Sequence, residues 1–305
     1  NVSYRNARYG IYIDKSSYIL VDSCLSTGNY HAICLKNTNG NILLKNIKHE
    51  GAYYGMNNRI YFPHFAYNRT KSDLDRAIQT ASWACLWMKN RFPSQVFNQA
   101  GIVLFGQNSG PLAIEKNHIR NVQRGITIAS SFQKTQQPLT ISGNTIERAI
   151  RTALSIGWGW NAAIENNKFQ NNNISFRVQQ IDQAMKNGPQ PGRTIKFRHN
   201  LVQNDYDAGY GIFFHYNQAN GGLDTGVNEN LYIEIKNNSF FGGGGTYFGK
   251  DKCYSFIQVG TPIIFRKLAK KSIFVDNRIR WNRVNSSFNL DDAKKNWRIK
   301  KGNTI

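Results

Sequence analysis

Six short segments of this chain fit one template, in which an asparagine has an apolar residue three positions before it and another two positions after it. The segments are residues 112–119, 139–146, 162–169, 195–202, 233–240 and 272–279. Their asparagines are Asn117, Asn144, Asn167, Asn200, Asn238 and Asn277. Residues 18–25 fit with Ser23 in the asparagine position, and residues 41–48 fit loosely. Such repeats predict a solenoid, because one unit cannot bury its apolar face whereas stacked units can.

A second short apolar run follows each template segment. These runs are residues 32–36, 101–105, 125–129, 153–157, 174–178, 211–215 and 255–259, and a similar run at 10–14 precedes the first segment. Apolar residues alternate at a period of two in both kinds of segment, which predicts β-strands and excludes helical repeats. The predicted fold class is therefore all-β, a parallel β-helix whose coils stack ~4.8 Å apart. An asparagine at a fixed turn can adopt left-handed backbone angles and pass amide hydrogen bonds from coil to coil.

One stretch, residues 50–98, breaks the repeat and is predicted to contain a helix over about residues 72–91. Ser72 is a favourable N-cap, apolar residues follow at helical spacing, and a proline ends the pattern. The predicted organisation is one β-helix domain over residues 1–305, with this helical insertion and a basic C-terminal segment at 284–305.

The formal net charge of +21, from 39 Lys and Arg residues against 18 Asp and Glu residues, attracts polyanions. Nucleic acid, anionic lipid and uronate or sulphated glycans all qualify. Residues 266–305 contain 12 of the basic and 3 of the acidic residues, which indicates a solvated terminal segment. Basic and aromatic residues are not interleaved as in nucleic-acid-binding modules, so nucleic acid is not the expected partner.

Several other classes of protein are not indicated by the sequence. No run of 18 apolar residues occurs, so no membrane-spanning segment is expected. The 4 cysteines are too few for a disulfide scaffold and lack the spacing of a metal site. Cys24 and Cys34 fall on neighbouring predicted strands as small core residues, and a disulfide between them is left open. No phosphate-binding loop and no histidine pair at ligand spacing is present, so no cofactor or metal is expected. The oligomeric state is left open.

The repeats resemble the right-handed parallel β-helix superfamily, also called pectin-lyase-like, over about residues 10–280. That superfamily includes polysaccharide lyases, glycoside hydrolases, uronan epimerases, phage tailspikes and non-catalytic adhesins. The resemblance implies right-handed coils and a secreted or cell-surface protein that acts on or binds a glycan. Residues 155–167 and 206–214 are also similar to a pattern in secreted β-helix glycosidase-like proteins. Asp207 matches the aspartate of that pattern, although the two glycines that follow it there are not both present here.

The candidate site is the outward surface of the stacked strands in the central coils. Outward residues of the first strand are Glu115, Ser142, Glu165, Arg198 and Lys236, and those of the second strand are Thr127, Ser155, Arg177, Phe213, Gln179 and His215. Trp158 and Trp160 are at a strand end, where indole rings are suited to stack on sugars. Asp205 and Asp207 supply carboxylates in a chain that has few of them.

Two kinds of chemistry could use these residues. A lyase or epimerase must neutralise a uronate carboxylate and remove the proton beside it. Arg177 or Arg198 would neutralise the carboxylate, and His215 or Tyr210 would be the base.

A glycoside hydrolase instead needs two carboxylates, which would be Asp207 with Glu165 or Asp205. Structural roles are open for the same residues. Glu165 and Arg198 could form an ion pair between coils, which contributes little to stability at a surface. His215 could make only a surface hydrogen bond, and the two tryptophans could form only a packing cluster.

We expect Asp207, His215, Arg177, Arg198 and Trp158 to line one groove. The predicted function is a polysaccharide-active enzyme, a lyase or a glycoside hydrolase, that acts on an acidic glycan. The alternative is a non-catalytic glycan-binding or structural β-helix of the adhesin or tailspike kind.

Overall fold

The computed structural model describes the greater part of the repeats. The described residues are 3–5, 9–29, 31–51, 100–122, 124–128, 137–149, 152–157, 160–172, 174–179, 193–204, 210–215, 231–242, 246–251, 254–259, 261–263, 272–280, 294, 297–299 and 303. The helix predicted over about residues 72–91 and the predicted site residues Trp158, Asp205 and Asp207 lie outside them. Within the described residues, no helix has the length and apolar character that crossing a bilayer requires.

The described strands form three parallel sheets and one antiparallel hairpin. Sheet A contains β1 (Ser3–Arg5), β4 (Leu25–Thr27), β7 (Lys48–Glu50), β10 (His118–Arg120), β13 (Thr145–Glu147), β16 (Lys168–Gln170), β19 (Leu201–Asn204), β22 (Ser239–Gly242) and β27 (Arg278–Arg280). Sheet B contains β2 (Tyr9–Asp14), β5 (His31–Lys36), β8 (Ala100–Phe105), β11 (Arg124–Ile128), β14 (Thr152–Ile156), β17 (Ile174–Gln179), β20 (Tyr210–His215) and β25 (Thr261–Ile263). Sheet C contains β3 (Ser17–Asp22), β6 (Asn39–Lys45), β9 (Leu112–Glu115), β12 (Gln137–Ser142), β15 (Trp160–Glu165), β18 (Arg193–Arg198), β21 (Leu231–Lys236), β26 (Ser272–Val275) and β28 (Trp297–Ile299). The hairpin pairs β23 (Thr246–Asp251) with β24 (Tyr254–Val259).

From β3 to β22 the chain passes through sheet C, then sheet A, then sheet B, before it returns to sheet C one coil further on. Successive strands of one sheet are therefore parallel and in register. In sheet C, for example, Ile114 aligns with Ile141, which aligns with Ile164, and all three are buried. Like side chains thus stack inside the solenoid, as the alternating apolar pattern predicts. The predicted all-β parallel β-helix is confirmed.

Three phenylalanines connect the three sheets in the middle of the core. Phe169 lies on sheet A, Phe176 on sheet B and Phe197 on sheet C, and all are fully buried. The ring centroids of Phe176 and Phe197 are 5.3 Å apart and those of Phe169 and Phe197 are 6.0 Å apart, with stacked planes. Each such pair adds about 0.5–1.5 kcal/mol to the free energy of burial, so this cluster holds the three faces of the coils together.

The predicted asparagine ladder occupies the two-residue turn between sheets C and A. The Oδ1 atom of Asn144 accepts hydrogen bonds from the backbone N–H (3.0 Å) and the side-chain amide (2.9 Å) of Asn117. Its Nδ2 atom donates to the carbonyl of Ile114 and to Oδ1 of Asn167, both at 2.9 Å. The same pattern recurs at Asn167, Asn200, Asn238 and Asn277. These bonds are buried, so a shift of one coil against the next would leave several amide groups without partners.

The left-handed backbone angles expected of the ladder asparagines belong to the residue before each of them. These left-handed residues are Ser23, Asn46, Lys116, Gly143, Asn166, His199, Asn237 and Asp276, with φ from 53° to 63°. They turn the chain at the outer corner, which lets the next side chain point inward. Ser23 is consequently not in the ladder position. The pairing of Asp22 with Lys45 and of Leu25 with Lys48 places Cys24 there instead.

Cys24 and Cys34 are both buried, but in different places. Cys24 belongs to the core inside the solenoid, whereas Cys34 packs with Ala100 and Val103 on the outer face of sheet B. No disulfide joins them. Each is a small residue in a packed apolar cluster.

The basic C-terminal segment contributes to the solenoid, so the prediction of a solvated segment is wrong for its described part. Strand β28 pairs with β26 in sheet C, and Trp297 is buried in the core. Asn303 extends the ladder, because its Oδ1 atom accepts the backbone N–H (3.0 Å) and the side-chain amide (3.2 Å) of Asn277. Trp297 and Ile299, on either side of Arg298, pack inward, while Arg298 itself is exposed. A basic segment can therefore form a strand of the solenoid, because its charged side chains face solvent.

A buried polar group interrupts the apolar inward column of sheet A. Ser26, His49 and Ile119 follow one another in this column. His49 Nδ1 is 2.9 Å from the Ser26 hydroxyl, which also accepts a 2.8 Å hydrogen bond from the side chain of Asn29. Burial lowers the pKa of His49 to about 4; the hydrogen bond with Ser26 opposes this shift and the nearby His31 adds to it. His49 is therefore neutral in the folded protein at neutral pH.

Replacing Asn167 by alanine is expected to lower the free energy of unfolding by about 2–4 kcal/mol, because the buried N–H of Asn144 and the carbonyl of Ile141 lose their partners. Chemical denaturation measures this loss. Asn166→Gly is the matched control, since Asn166 is exposed with a φ of 58° and the preceding coil has Gly143 at this position. The control should change the stability by less than about 0.5 kcal/mol. Equal losses in the two variants would contradict the role of the ladder.

Acidification is expected to destabilise the fold through His49. Its pKa in the folded state is about 4, below the ordinary value of 6.5, so its contribution is complete above pH 6.5 and is lost as the pH falls from 6.5 to 4. The full effect is about 3 kcal/mol. Urea unfolding across this range should show a shallower pH dependence for His49→Gln, which keeps a polar group beside Ser26 but does not titrate. A pH dependence identical to that of the unmodified protein would refute this assignment.

Candidate functional site

The outward side of sheet B changes from apolar to polar along the solenoid. Phe176 and Val178 of β17 are in the core, so Arg177 between them faces outward. By the same alternation, Thr127 and Ser155 face outward from β11 and β14. Register aligns these three residues in one column, Thr127 beside Ser155 and Ser155 beside Arg177.

Arg124 and Thr152 form a second outward column beside the first. They are aligned on β11 and β14. The next residue, Gly125, faces the core, where an added Cβ atom would lie 2.4 Å from the carbonyl oxygen of Ala153 and 2.6 Å from Cγ2 of Ile146. Only glycine fits this close approach. Arg124 aligns with Ala100, which belongs to the outer cluster of sheet B.

We call Arg124, Thr127, Thr152, Ser155 and Arg177 the polar strip. Although it faces outward, four of its five members are buried: Thr127 is 3% exposed, Thr152 1%, Ser155 3% and Arg177 9%, whereas Arg124 is half-buried. The hydroxyls of Thr127 and Thr152 have no hydrogen-bond partner among the described residues. A buried hydroxyl without a partner costs about 1–3 kcal/mol, so such groups mark a place where a ligand or a water molecule would be bound.

The polarity of the strip is local. Nearer the N-terminus, the same face of sheet B carries Cys34, Ala100 and Val103, against which Tyr9 and Phe105 pack. That end is mostly apolar, and its buried polar side chain, His31, is hydrogen-bonded to the backbone of Ala100 and stacks on Tyr9. The strip is thus the part of this buried face whose chemistry suits a polar ligand.

The structure places three of the predicted site residues on sheet B. Arg177 on β17 aligns with Phe213 on β20, and Gln179 aligns with His215. The Cα atoms of Arg177 and His215 are therefore about 8 Å apart, from the spacing of adjacent strands and of alternate residues along a strand. Tyr210 is at the start of the same strand, β20. The predicted cation and both predicted bases thus belong to adjacent strands.

Arg198 and Glu165 lie on sheet C, a different face of the solenoid. The prediction that Arg198 lines one groove with Arg177 and His215 is therefore wrong. The sequence did not distinguish the faces, because every strand has the same alternating pattern whichever sheet it joins.

Arg198 forms its shorter ion pair with Glu234, a residue outside the predicted site. Its Nη2 atom is 2.8 Å from Oε2 of Glu234, whereas its Nη1 atom is 3.9 Å from Oε1 of Glu165. The hydrogen bond with Glu234 raises the pKa of Arg198, and burial opposes it. Glu234 precedes Lys236, which was predicted to face outward, by two residues on β21. The alternation of the strand therefore predicts that Glu234 faces outward as well. Partly exposed pairs of this kind contribute little to stability.

Trp160 is a core residue, so the prediction that its indole stacks on a sugar is wrong. It is 1% exposed and belongs to the cluster inside the solenoid. The cause is the phase of β15, in which Trp160, Ala162 and Ile164 all point inward. The predicted roles of Trp158, Asp205 and Asp207 stay predictions, since these residues lie outside the described ranges.

The model of a family described as the right-handed β-helix region matches residues 1–169, more than half of the chain. The protein belongs to this family. No curated protein and no solved structure matches the chain. The family match supports the fold of this right-handed β-helix but assigns no reaction to it.

The chemistry available to this right-handed β-helix differs between its faces. On sheet B, buried hydroxyl and guanidinium groups can hold an anionic, hydroxyl-rich ligand away from water. On sheet C, the carboxylates of Glu165 and Glu234 are both close to Arg198. No group of three or more histidine, cysteine or acidic residues suited to hold a metal ion occurs within the described parts of the chain.

Replacing Thr127 by valine should leave the free energy of unfolding unchanged or raise it by about 1 kcal/mol, because the variant removes a buried hydroxyl that has no partner. Thr38→Val is the matched control. The Thr38 hydroxyl is also buried, but it donates a 2.8 Å hydrogen bond to Asn108, so its loss should cost about 1 kcal/mol or more. Chemical denaturation of both variants tests this difference. A loss for Thr127→Val as large as that for Thr38→Val would show that the Thr127 hydroxyl is satisfied within the fold.

Proposed function

We propose that the protein binds an acidic polysaccharide against the polar strip of sheet B and cleaves it by lyase-type chemistry. The observation that carries this proposal is the burial of hydroxyl and guanidinium groups together on adjacent strands. Two arginines with two unsatisfied hydroxyls match a sugar that has a carboxylate and several hydroxyls.

Electrostatics supports an anionic rather than a neutral glycan. Arg177 is 9% exposed, and a guanidinium at such a position pairs strongly with a carboxylate through two parallel hydrogen bonds. The chain's formal charge of +21 favours the encounter with a polyanion at low salt. Coils ~4.8 Å apart present one position of each column per coil, which suits a polymer lying along the solenoid.

A lyase has two tasks, and residues of sheet B are suited to both. Arg177, aided by Arg124, would neutralise the uronate carboxylate and so acidify the hydrogen on the carbon beside it. His215 or Tyr210, on the strand adjacent to that of Arg177, would take this proton. The electron pair would form a carbon–carbon double bond, and the glycosidic oxygen on the next carbon would leave with its bonding electrons and be protonated.

Hydrolysis is less well supported. A pair formed by Asp207 and Glu165 would require Glu165 on the same face as the strip, and Glu165 is on sheet C beside Arg198. Asp205 with Asp207 is the remaining carboxylate pair of the sequence analysis.

Non-catalytic glycan binding is the second candidate function. It is favoured by one observation: the described part of the strip, on β11, β14 and β17, contains no carboxylate. Either function concerns a glycan outside the cell, so we propose that the protein is secreted or exposed at a cell surface.

A panel of acidic and neutral polysaccharides tests the proposal, with two readouts. A lyase produces new ultraviolet absorbance together with new reducing ends, whereas a hydrolase produces reducing ends alone. Binding without either product would support the non-catalytic function. Equal binding of neutral and acidic glycans at low salt would refute the electrostatic argument.

Two substitutions assign the roles on sheet B. His215→Ala should lower turnover by ~10² or more if His215 is the base, which is the usual scale for an acid–base group. Arg177→Gln should abolish measurable turnover and weaken binding of the acidic polymer, because the carboxylate of the bound sugar would lose its counter-ion. Lys48→Gln is the control, since it removes one positive charge from an exposed position on sheet A. Unchanged turnover and binding for Arg177→Gln would eliminate the strip as the site.

A further inference from the structure

The outer face of sheet C carries cations on three strands near the C-terminal end of the solenoid. Register places Lys196, Glu234, Ile273 and Arg298 in one column, and Arg198 and Lys236 in the next. Adjacent strands are ~4.8 Å apart and alternate residues along a strand are ~6.7 Å apart, so these residues form one continuous area. Lys196 and Arg298 are exposed, and Lys236 is half-buried.

Three of these cations are not neutralised by the solenoid. Lys196, Lys236 and Arg298 form no ion pair within the described residues, whereas Lys45, near the other end of the same sheet, pairs with Asp22 at 3.2 Å. The charge of Arg198 is compensated by Glu234 and Glu165. The C-terminal half of sheet C therefore presents an excess of positive charge at its surface.

Tyr232 lies among these charges. It precedes Glu234 by two residues on β21, so it shares the outward face, and it is half-buried. Burial raises the pKa of its phenol, Glu234 raises it further, and Arg298 and Arg198 lower it, so these groups are within electrostatic range of one another. An aromatic ring beside uncompensated cations supplies the two contacts that an anionic sugar needs. The ring can stack on the apolar face of a pyranose, and the cations can bind its carboxylate or sulphate.

We propose that Lys196, Tyr232, Lys236 and Arg298, here called the cationic patch of sheet C, form a second binding surface for the acidic polysaccharide. This inference rests on the proposed function, because the same class of polymer would contact both surfaces. The patch and the polar strip are on different sheets, so the patch holds the chain outside the strip and raises its local concentration there. A nucleic acid would be bound by stacking of successive bases, and the patch offers one aromatic ring among the described residues.

The test compares two triple variants with the same net charge. Lys196→Gln, Lys236→Gln and Arg298→Gln together remove the charges of the patch. Lys15→Gln, Lys48→Gln and Lys116→Gln together remove three exposed charges near the N-terminal end. The first triple variant should bind long polygalacturonate at least about tenfold more weakly, equivalent to about 1.4 kcal/mol, and the control less than about threefold more weakly. Tyr232→Ala should weaken binding, and Tyr232→Phe should not.

A short oligogalacturonate separates this inference from the proposed function. The patch triple variant should bind and turn over the short substrate like the unmodified protein, whereas Arg177→Gln should not. Failure of Arg177→Gln to affect the short substrate would refute the proposed function, while the comparison on the long polymer still tests the patch. Equal weakening by the two triple variants would mean that net charge alone matters and would overturn the patch. Single-stranded DNA that binds more tightly than polygalacturonate through the same three cations would also overturn it.

Discussion

The hydrogen-bonded stacking of buried asparagine side chains is the interaction on which the rest of this structure depends. Each ladder amide from Asn144 to Asn277 accepts two bonds from the asparagine of the coil before it and donates one to the asparagine of the next coil. A displaced coil would leave these groups without partners in a place that water does not reach. The ladder therefore fixes the register of all three sheets, although it lies at one corner. Side chains distant in sequence, such as Ser155 and Arg177, become fixed neighbours for this reason.

Fixed register gives each sheet its own surface chemistry. At the strip, sheet B is largely buried on its outward side, so hydroxyl and guanidinium groups lie in an environment that strengthens electrostatic interactions. Sheet C is more open, and its charges interact through solvent, where each contributes little to stability and is available to a partner. A strong, selective contact is therefore expected on sheet B and a weaker, salt-sensitive one on sheet C.

The repeat was predictable from sequence because the constraint is local. Apolar residues three before and two after an asparagine indicate a strand, a tight turn and a second strand. Six segments share this pattern, and it predicts that their asparagines form a ladder. Errors arose where a shift of one residue changes the geometry. Ser23 and Cys24 are adjacent, and only the pairing of their neighbours shows that Cys24 holds the ladder position. Trp160 was misplaced in the same way, since a strand-end residue is inward or outward according to the phase of β15.

The sequence by itself determined that the chain is a solenoid of parallel strands, that asparagines stack at one corner, and that its net charge of +21 favours the approach of polyanions. These properties follow from the period of the apolar residues and from the net charge, and neither depends on which sheet each strand joins. Only the tertiary structure decided which outward residues share a face. It grouped Arg177 with Thr127 and Ser155 on sheet B and placed Arg198 beside Glu234 on sheet C. The physical reason is that the alternation of inward and outward residues is the same on every sheet, whereas proximity depends on strand register and on the corner at which each coil turns.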